Sequence, residues 1–402
     1  MKKFWLISYF FLFVIFALFS FVVADPNLIL LKYDWFVNFQ TYLWKNVLPL
    51  QSFRTVFFFV LVVLIFANYL LILKNFEKLN LNSRKNFWQF LIIISLPLIL
   101  SYNGLSHDLF NYIFNAKMVV EYGTNPHIKT ALDFANDPLL RFMNNTHTPA
   151  PYGYGWTALS LAPYVAGFGK FLSTFFVFKL FAFLSLLLTL LISEKFFKKE
   201  NYQKLALFFL NPLVLIEILS SAHNDLWMLA PALLAVYLAS EFKKNKLLRI
   251  ILIVLLMVFS ISIKFATVVL LPFIGYFLVK EKLGSKIKLF QLIEKYSYEL
   301  MSLAMFAPLL TDRSKQFLPW YLLWSLIFVP MVKIKFWRNL LIVFSLSSLL
   351  RNVPWFYYIP WMSFHLDTSS LEPLQKAVTW LIPAFYLLLS GVVFLFNGKR
   401  EE

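Results

Sequence analysis

The sequence predicts an all-α, polytopic membrane protein with about 12 transmembrane helices (between about 11 and 13), and three observations support this class. Of the 402 residues, 60% are hydrophobic and only 14% are charged, whereas soluble domains carry about 25% charged residues. The apolar residues form runs along the whole chain, which excludes a single-pass receptor. The basic residues cluster in alternate connections between these runs. The absence of cysteine excludes a disulfide framework, a thiolate metal site and a cysteine nucleophile.

The predicted spans are the apolar runs that approach the roughly 17–25 residues needed to cross a bilayer. They lie at about 4–24, 53–73, 87–104, 174–193, 205–221, 223–241, 248–263, 265–279, 289–310, 317–332, 337–352 and 374–396. The first run is longer than a signal-peptide core of roughly 7–15 residues, so we expect a retained anchor. Charged residues interrupt 289–310, and its first half is alternatively an amphipathic helix in the membrane plane. We expect the short apolar stretch 156–170 to be re-entrant or tilted.

The net charge of +17 is a topology signal. Most of the 37 Lys and Arg residues lie in alternate connections, while the opposite connections are nearly neutral. Because basic connections stay on the cytoplasmic side, this pattern places both termini in the cytoplasm. Membrane topology therefore accounts for most of the basic residues, and we predict no nucleic-acid partner.

The largest connection on the predicted outer side runs from about Leu105 to Gly155 and is rich in polar and aromatic residues. Apolar residues at helical spacing over Phe110–Tyr122 predict a helix that lies in the interface. Asp108, just before it, is either the N-cap of this helix or a general base at the membrane surface. The run Pro-Tyr-Gly-Tyr-Gly-Trp at 151–156 is either a tight re-entry into the membrane or part of a binding site.

A second polar cluster lies in the connection after Asn-Pro-Leu at 211–213. It contains His223, Asn224 and Asp225, which the charge pattern places on the same side as Asp108. Such a group is alternatively a solvated turn. Glu217 lies in the outer half of the preceding helix, where an ionisable residue usually faces a cavity or a partner, or is neutralised within the bundle.

Three basic residues complete the outer face, namely Lys264, Arg313 and Arg351. Each one alternatively snorkels at the interface. Together they place positive charge at the depth of a lipid phosphate, which an arginine holds bidentately and a lysine holds as a point charge.

The ordered set of motifs resembles GT-C glycosyltransferases, and among them the prokaryotic polyprenol-phosphate-mannose-dependent α-mannosyltransferases. The resemblance covers roughly 87–360. It depends on His-Asp-Leu-Phe-Asn-Tyr, Tyr-Gly-Thr-Asn-Pro-His, Pro-Tyr-Gly-Tyr-Gly-Trp, the motif from Asn-Pro-Leu to His-Asn-Asp, Lys264 with Leu-Pro, and Gln316 with Pro-Trp-Tyr. This sequence departs from the family at three points. His127 stands where the family usually has Tyr, and Tyr154-Gly155 stands where Gly-Pro is expected. The loop with Asp108 follows the third span, whereas the basic GT-C module has it after the first. These departures bear on the identity of the sugar more than on the reaction type.

The resemblance implies inverting transfer of a sugar, mannose, from a polyprenyl-phosphate donor to a glycan or glycolipid acceptor on the outer face of a prokaryotic plasma membrane. Asp108 would be the general base. The donor phosphate would be held by Lys264, Arg313, Gln316 and Arg351. The acceptor and the sugar would contact His107, Asn111, Tyr112, Asn125, Tyr152, Tyr154, Trp156, His223, Asn224 and Asp225. We expect no cofactor and no divalent metal, because no Asp-x-Asp pair lies beside Asp108.

We expect three regions: an additional hairpin with a cytoplasmic loop at 1–86, a catalytic membrane module at 87–360, and a last outer loop, span and short tail at 361–402. The alternatives are a lipid or sugar transporter or flippase, a lipid-linked glycan polymerase or ligase, and a structural membrane protein. A transporter predicts repeated halves with broken helices, and the sequence shows no convincing repeat. A polymerase should carry more outer arginine, and a structural protein does not explain so polar an outer loop.

Overall fold

The computed structural model describes residues 3–28, 30–197, 201–242, 245–283, 288–311, 316–358 and 371–398. Within these ranges every regular element is helical, as the sequence predicts. The α-helices are α1 Phe4–Ser20, α2 Asp34–Tyr42, α3 Gln51–Lys74, α4 Arg84–Leu100, α5 Asp108–Val120, α6 Tyr154–Ala166, α7 Phe171–Glu194, α8 Tyr202–Phe209, α9 Pro212–Leu215, α10 Asp225–Ser240, α11 Lys246–Ile263, α12 Leu271–Leu283, α13 Lys288–Lys295, α14 Ser297–Ala304, α15 Leu322–Leu326, α16 Lys335–Leu350, α17 Val353–Tyr358 and α18 Leu371–Gly398.

Five helical stretches among the described residues are long and apolar enough to cross a membrane. They are Phe4–Val23, Gln51–Lys74, Phe171–Glu194, Lys246–Ile263 and Lys335–Tyr358. A sixth span results if Tyr202–Phe209 and Pro212–Ser220, which meet at a bend of 55°, count as one. All six coincide with predicted spans. The all-helical class is therefore confirmed with five or six candidate spans, and the count of about 12 stays a prediction.

Besides the bent span at 205–221, two further predicted spans break into separate helical segments. The run 317–332 contains a short 3-10 turn at Pro319–Tyr321, then α15, then turns. The run 289–310 breaks at Tyr296, next to the charged residues that interrupt its apolar pattern. In addition, α2 lies where the sequence predicts only a connection between the first two spans.

The outer loop contains the predicted helix, which is α5, but its packing differs from the prediction. Ile113 and Ala116 of the predicted apolar face are buried, whereas Val120 is 46% exposed and Asn111 is buried. The reason is that α5 packs against α6 and α7, so its buried surface follows these neighbours and not a single membrane-facing side.

The bend between α8 and α9 has a clear local cause in the Asn-Pro-Leu motif. The Asn211 side chain accepts a hydrogen bond from the Leu213 N–H at 3.0 Å, which caps α9, and proline occupies its first position. The carbonyls left open at the end of α8 accept hydrogen bonds from two tyrosines of the N-terminal helices. Tyr9 donates to Leu210 O at 2.6 Å and Tyr69 to Leu207 O at 2.8 Å.

A buried lysine that the sequence analysis missed joins the two chain segments that lead to the polar clusters. Lys179 of α7 is fully buried and donates to the carbonyls of Ser101 and Ser220, the latter at 2.9 Å. Ser101 follows α4 and leads into the outer loop, and Ser220 ends the segment that carries Glu217. At the opposite ends of α4 and α7, Arg84 pairs with Glu194 at 3.1 Å. The two polar clusters therefore meet at the ends of α4 and α7 away from this ion pair.

Candidate active site

A cavity of about 1340 Å³ brings together residues from distant parts of the chain. Its wall is formed by the outer loop, the turn after α11, the segment that precedes α15 and the end of α16. Eight of the sequence-predicted residues line it: His107, Asp108, Asn111, Tyr152, Glu217, Lys264, Gln316 and Arg351. The Asp108 carboxylate and two of the three cations that the sequence singles out, Lys264 and Arg351, thus share one cavity.

Asp108 does not act as the helix cap that the sequence left as an alternative. It is the first residue of α5, the N-cap position is His107, and no side chain caps this end. The Asp108 carboxylate instead accepts a hydrogen bond from the Tyr152 hydroxyl, with 2.7 Å between Oη and Oδ2. Burial raises the pKa of Asp108, and the Tyr152 hydrogen bond and the charge of Lys264 oppose this rise. A buried carboxylate with a raised pKa is suited to accept a proton.

His223 lies directly behind Asp108. Its Nδ1 is 3.5 Å from Asp108 Oδ2, its Nε2 is 3.2 Å from Glu217 Oε2, and its ring stacks on Trp320 with 4.0 Å between centroids. Burial lowers the pKa of His223, which favours the neutral imidazole. Sequence analysis did not find Trp320 as a partner, although the residue lies in the Pro-Trp-Tyr motif.

The backbone around His223 departs from ordinary helix. Ile216–Ser220 forms a π-helical turn, a conformation often found at functional sites. Ala222 then has a φ of 57°, in the left-handed region that costs a non-glycine residue roughly 1–2 kcal/mol. These two features turn the chain sharply so that Glu217 and His223 face each other.

Lys264 and Asp225 form a buried ion pair beside the cavity. The Asp225 Oδ1 atom accepts hydrogen bonds from Lys264 Nζ at 2.8 Å and from Trp324 Nε1 at 2.6 Å. The Lys264 ammonium also lies 5.2 Å from the centroid of the Tyr152 ring. Its charge is therefore balanced by Asp225. Asp225 and its neighbour Asn224 lie behind the cavity wall, fully buried or nearly so.

Arg351 is a cation at the cavity wall that forms no ion pair at contact distance within the described residues. It is 4% exposed, and its guanidinium donates to Thr379 Oγ1 at 3.3 Å and to the Gln316 carbonyl at 3.2 Å. Glu372 is near enough to interact with this charge, but its carboxylate is paired with Lys376 at 2.7 Å. A buried arginine without a direct ion-pair partner attracts an anion. Arg313, the remaining predicted cation, lies outside the described residues.

The other predicted residues separate into two groups. Tyr112 packs edge-on against Tyr152 and Trp156, with ring centroids 5.1 and 4.9 Å apart, and supports the wall from behind. Asn125 and Tyr154 lie away from the cavity and contact each other. Asn125 Nδ2 donates to the Tyr154 hydroxyl at 3.3 Å, and Tyr154 is 63% exposed. These two residues do not line the cavity.

The glycines of the Pro-Tyr-Gly-Tyr-Gly-Trp motif allow a close approach to the turn that carries Lys264. The Gly153 N–H donates to the Ile263 carbonyl at 3.0 Å. A Cβ atom on Gly153 would lie 2.0 Å from the Ser262 carbonyl oxygen, and one on Gly155 would lie 2.1 Å from Ser262 Oγ. The motif is therefore part of the site, since it sets the position of Tyr152 against Lys264.

We expect Gly153→Ala to lower the rate of the reaction by about 10–100-fold, because the new methyl group must displace the backbone before Lys264 and a shift near 1 Å is enough for such a loss. The matched control is Gly275→Ala in α12, where a Cβ meets nothing within 4 Å. The two variants are compared in initial rates and in thermal unfolding. Equal rates for Gly153→Ala and wild type would contradict the role of this close approach.

Within the part of the chain that the structure describes, no group of three or more His, Asp or Glu residues could hold a metal ion. Independence from a metal stays a prediction.

Apolar helices of membrane-spanning length indicate a membrane protein, and its cavity is lined by a buried carboxylate and a buried arginine. A profile of the MptA_B family, described as "Alpha-(1->6)-mannopyranosyltransferase, N-terminal domain", matches residues 29–280. The chain belongs to this family. The matched range includes Asp108, His223 and Lys264. Comparisons with curated proteins and with solved structures give no match.

Proposed function

We propose that the protein transfers mannose from a polyprenyl-phosphate donor to a glycan or glycolipid acceptor, with inversion at the anomeric carbon. The observation that carries the proposal is the shared cavity, which both Asp108 and Arg351 line, in a member of a mannosyltransferase family. A base for the acceptor and a cation for the leaving group are the two groups that such a transfer needs.

Asp108 acts on the acceptor. As the acceptor hydroxyl attacks the anomeric carbon, its proton passes to the Asp108 carboxylate within hydrogen-bond distance. His107 and Asn111, which line the cavity next to Asp108, are placed to contact the acceptor. The Tyr152 hydroxyl fixes the orientation of the carboxylate through its 2.7 Å hydrogen bond.

Arg351 acts on the donor. When the bond from the anomeric carbon to the phosphate oxygen breaks, negative charge develops on the lipid phosphate, and a preorganised cation stabilises it in a site that excludes water. Arg351 supplies a charge that no direct ion pair neutralises within the described residues, and Gln316 lines the cavity beside it. Lys264 contributes less net charge because Asp225 balances it. Arg313 keeps its predicted role in binding the donor phosphate.

The position of the cavity supports a lipid-linked donor on the outer face of a prokaryotic plasma membrane. The polar clusters lie at the ends of α4 and α7 away from the Arg84–Glu194 pair. Arg84 belongs to one of the basic connections, which the positive-inside pattern assigns to the cytoplasm. The cavity then opens outside, in a protein with about 12 spans, where a membrane lipid can present a sugar and cytoplasmic nucleotide sugars do not reach.

Incubation of the purified protein with labelled donors and a panel of glycan acceptors tests this proposal. We expect transfer from polyprenyl-phosphate mannose, and little or none from nucleotide-linked mannose or from polyprenyl-phosphate glucose. Transfer from the nucleotide-linked sugar would contradict the lipid donor. If no acceptor is modified but the lipid-linked sugar crosses the bilayer of vesicles that contain the protein, the transporter alternative replaces the proposal.

A further inference from the structure

Three ionisable side chains, Glu217, His223 and Asp108, form a continuous series at the cavity, and Glu217 and Asp108 line it. Glu217 is 1% exposed, and its Oε2 atom lies 3.2 Å from His223 Nε2. His223 is fully buried, and its Nδ1 atom lies 3.5 Å from Asp108 Oδ2. Neither Glu217 Oε2 nor either ring nitrogen of His223 has another hydrogen-bond partner within the described residues. The contacts between these three side chains therefore determine where their protons lie.

A neutral imidazole carries a single N–H and cannot donate to both carboxyl groups. An ionised Glu217 would be a buried anion without a cation, which is costly in an apolar interior. Lys264, which lines the same cavity, is already paired with Asp225 at 2.8 Å. A protonated Glu217 removes both difficulties, because its O–H can donate to His223 Nε2 while His223 Nδ1 keeps its proton and points it at Asp108.

We propose that Glu217 is a positioning residue for the transfer reaction: its protonated carboxyl group fixes His223 as the Nδ1–H tautomer, directed at the Asp108 carboxylate. This inference rests on the proposed function, in which Asp108 is the base. The two partners of a histidine ring decide its tautomer in this way at many sites. The stacking of His223 on Trp320, with 4.0 Å between centroids, fixes the plane of the ring.

The arrangement also distinguishes the two oxygens of Asp108. The Tyr152 hydroxyl and His223 Nδ1 both approach Oδ2, at 2.7 and 3.5 Å. Oδ1 accepts no hydrogen bond from the described residues and is left for the acceptor hydroxyl. Glu217 thus acts on the reaction indirectly, through His223 and Asp108. It keeps the Tyr152 and His223 donors on Asp108 Oδ2 and leaves Asp108 Oδ1 free.

Two variants of similar size separate this role from packing. Glu217→Gln keeps an N–H donor for His223 Nε2 without a charge, and we expect it to retain transfer within about threefold of wild type. Glu217→Met removes the donor, and we expect kcat to fall about 10–100-fold, as misplacement of a base by a fraction of an ångström does. The acceptor KM should change little, because Glu217 acts through His223 and not on the acceptor.

The tautomer is measured independently of activity by nitrogen NMR of protein with labelled histidine, since a protonated and an unprotonated ring nitrogen differ widely in chemical shift. The chain has five histidines, and His223→Gln assigns the signal. We expect His223 to carry its proton on Nδ1 in wild type and in Glu217→Gln, and to lose this preference in Glu217→Met. A charged imidazole, or a proton on Nε2 in wild type, would overturn the inference.

The kinetic and spectroscopic results also separate this inference from the proposed function. Full transfer by a folded Glu217→Met, while Asp108→Asn is inactive, would overturn the role of Glu217 alone. If no donor supports transfer, the proposed function fails, and the wild-type tautomer still decides whether Glu217 directs His223 at Asp108. Should Glu217→Met not fold, the wild-type signal and the Glu217→Gln rates provide the test.

Discussion

Asp108→Asn is expected to lower the rate of sugar transfer by about 10²–10⁴-fold, the usual contribution of a positioned general base. Asparagine has the shape of aspartate and can still accept the Tyr152 hydrogen bond, so the fold and donor binding should persist. Initial rates, donor binding and thermal unfolding are compared with those of wild type. Asp133→Asn is the matched control, since Asp133 forms an exposed capping box in the same outer loop. Transfer that survives in Asp108→Asn would return Asp108 to a structural role.

The pH dependence of the rate follows from the environment of the same carboxylate. Burial raises the pKa of Asp108, and the Tyr152 hydroxyl partly opposes this. Because only the ionised form accepts a proton, kcat/KM should fall as the pH drops through a pKa above the ordinary value for aspartate. Tyr152→Phe removes a hydrogen bond that favours the charged form, so it should move this acidic limb to higher pH. A limb that stays in place, or moves to lower pH, would contradict the assignment of Asp108 as the base.

The second large effect concerns stability. Lys264→Met should reduce the free energy of unfolding by about 3–5 kcal/mol, because it leaves Asp225 buried without its cation. The side chains of Lys264 and Asp225 are 11% and 0% exposed. Adding Asp225→Asn to this variant should restore most of the lost stability, since the uncompensated charge is gone, but should not restore transfer.

Lys376→Met provides the matched control for this pair. It removes an ion pair with Glu372 in which both side chains are about half exposed, and such surface pairs contribute only about 0–1 kcal/mol. Denaturant unfolding in detergent gives the free energy of unfolding of wild type, Lys264→Met, the double variant with Asp225→Asn, and Lys376→Met. If Lys264→Met unfolds at the same denaturant concentration as Lys376→Met, the buried pair does not stabilise the site as described.

The sequence predicted the membrane helices well where they are long and continuously apolar, as in α1, α3 and α7. Length and hydropathy alone suffice there, because the bilayer sets both. At 317–332 the apolar run does not form one continuous helix; it forms short helical turns that hold aromatic side chains at the cavity. Apolar composition does not separate a lipid-facing helix from a wall of aromatic residues.

The candidate site shows the same division. Asp108, Tyr152 and Lys264 could be found from their residue types and from their place on one predicted face. Their pairing could not, because the partner of Lys264 is Asp225 and depends on how α10 and α11 pack. Lys179 was missed because it stands alone in an apolar run. It donates to the carbonyls of Ser101 and Ser220 and to the Ser101 hydroxyl, and such partners leave no sequence signal.

The central claim is inverting mannosyl transfer from a polyprenyl phosphate at the Asp108 cavity. Inversion converts a β-linked donor into an α-linked product, which agrees with the description of the family. The direct test is the anomeric configuration, determined by NMR, of the product that the purified protein makes from β-linked polyprenyl-phosphate mannose. An α-linked mannoside that wild type makes and Asp108→Asn does not make is the predicted result. A β-linked product, or no product from this donor with any glycan acceptor, would contradict the claim.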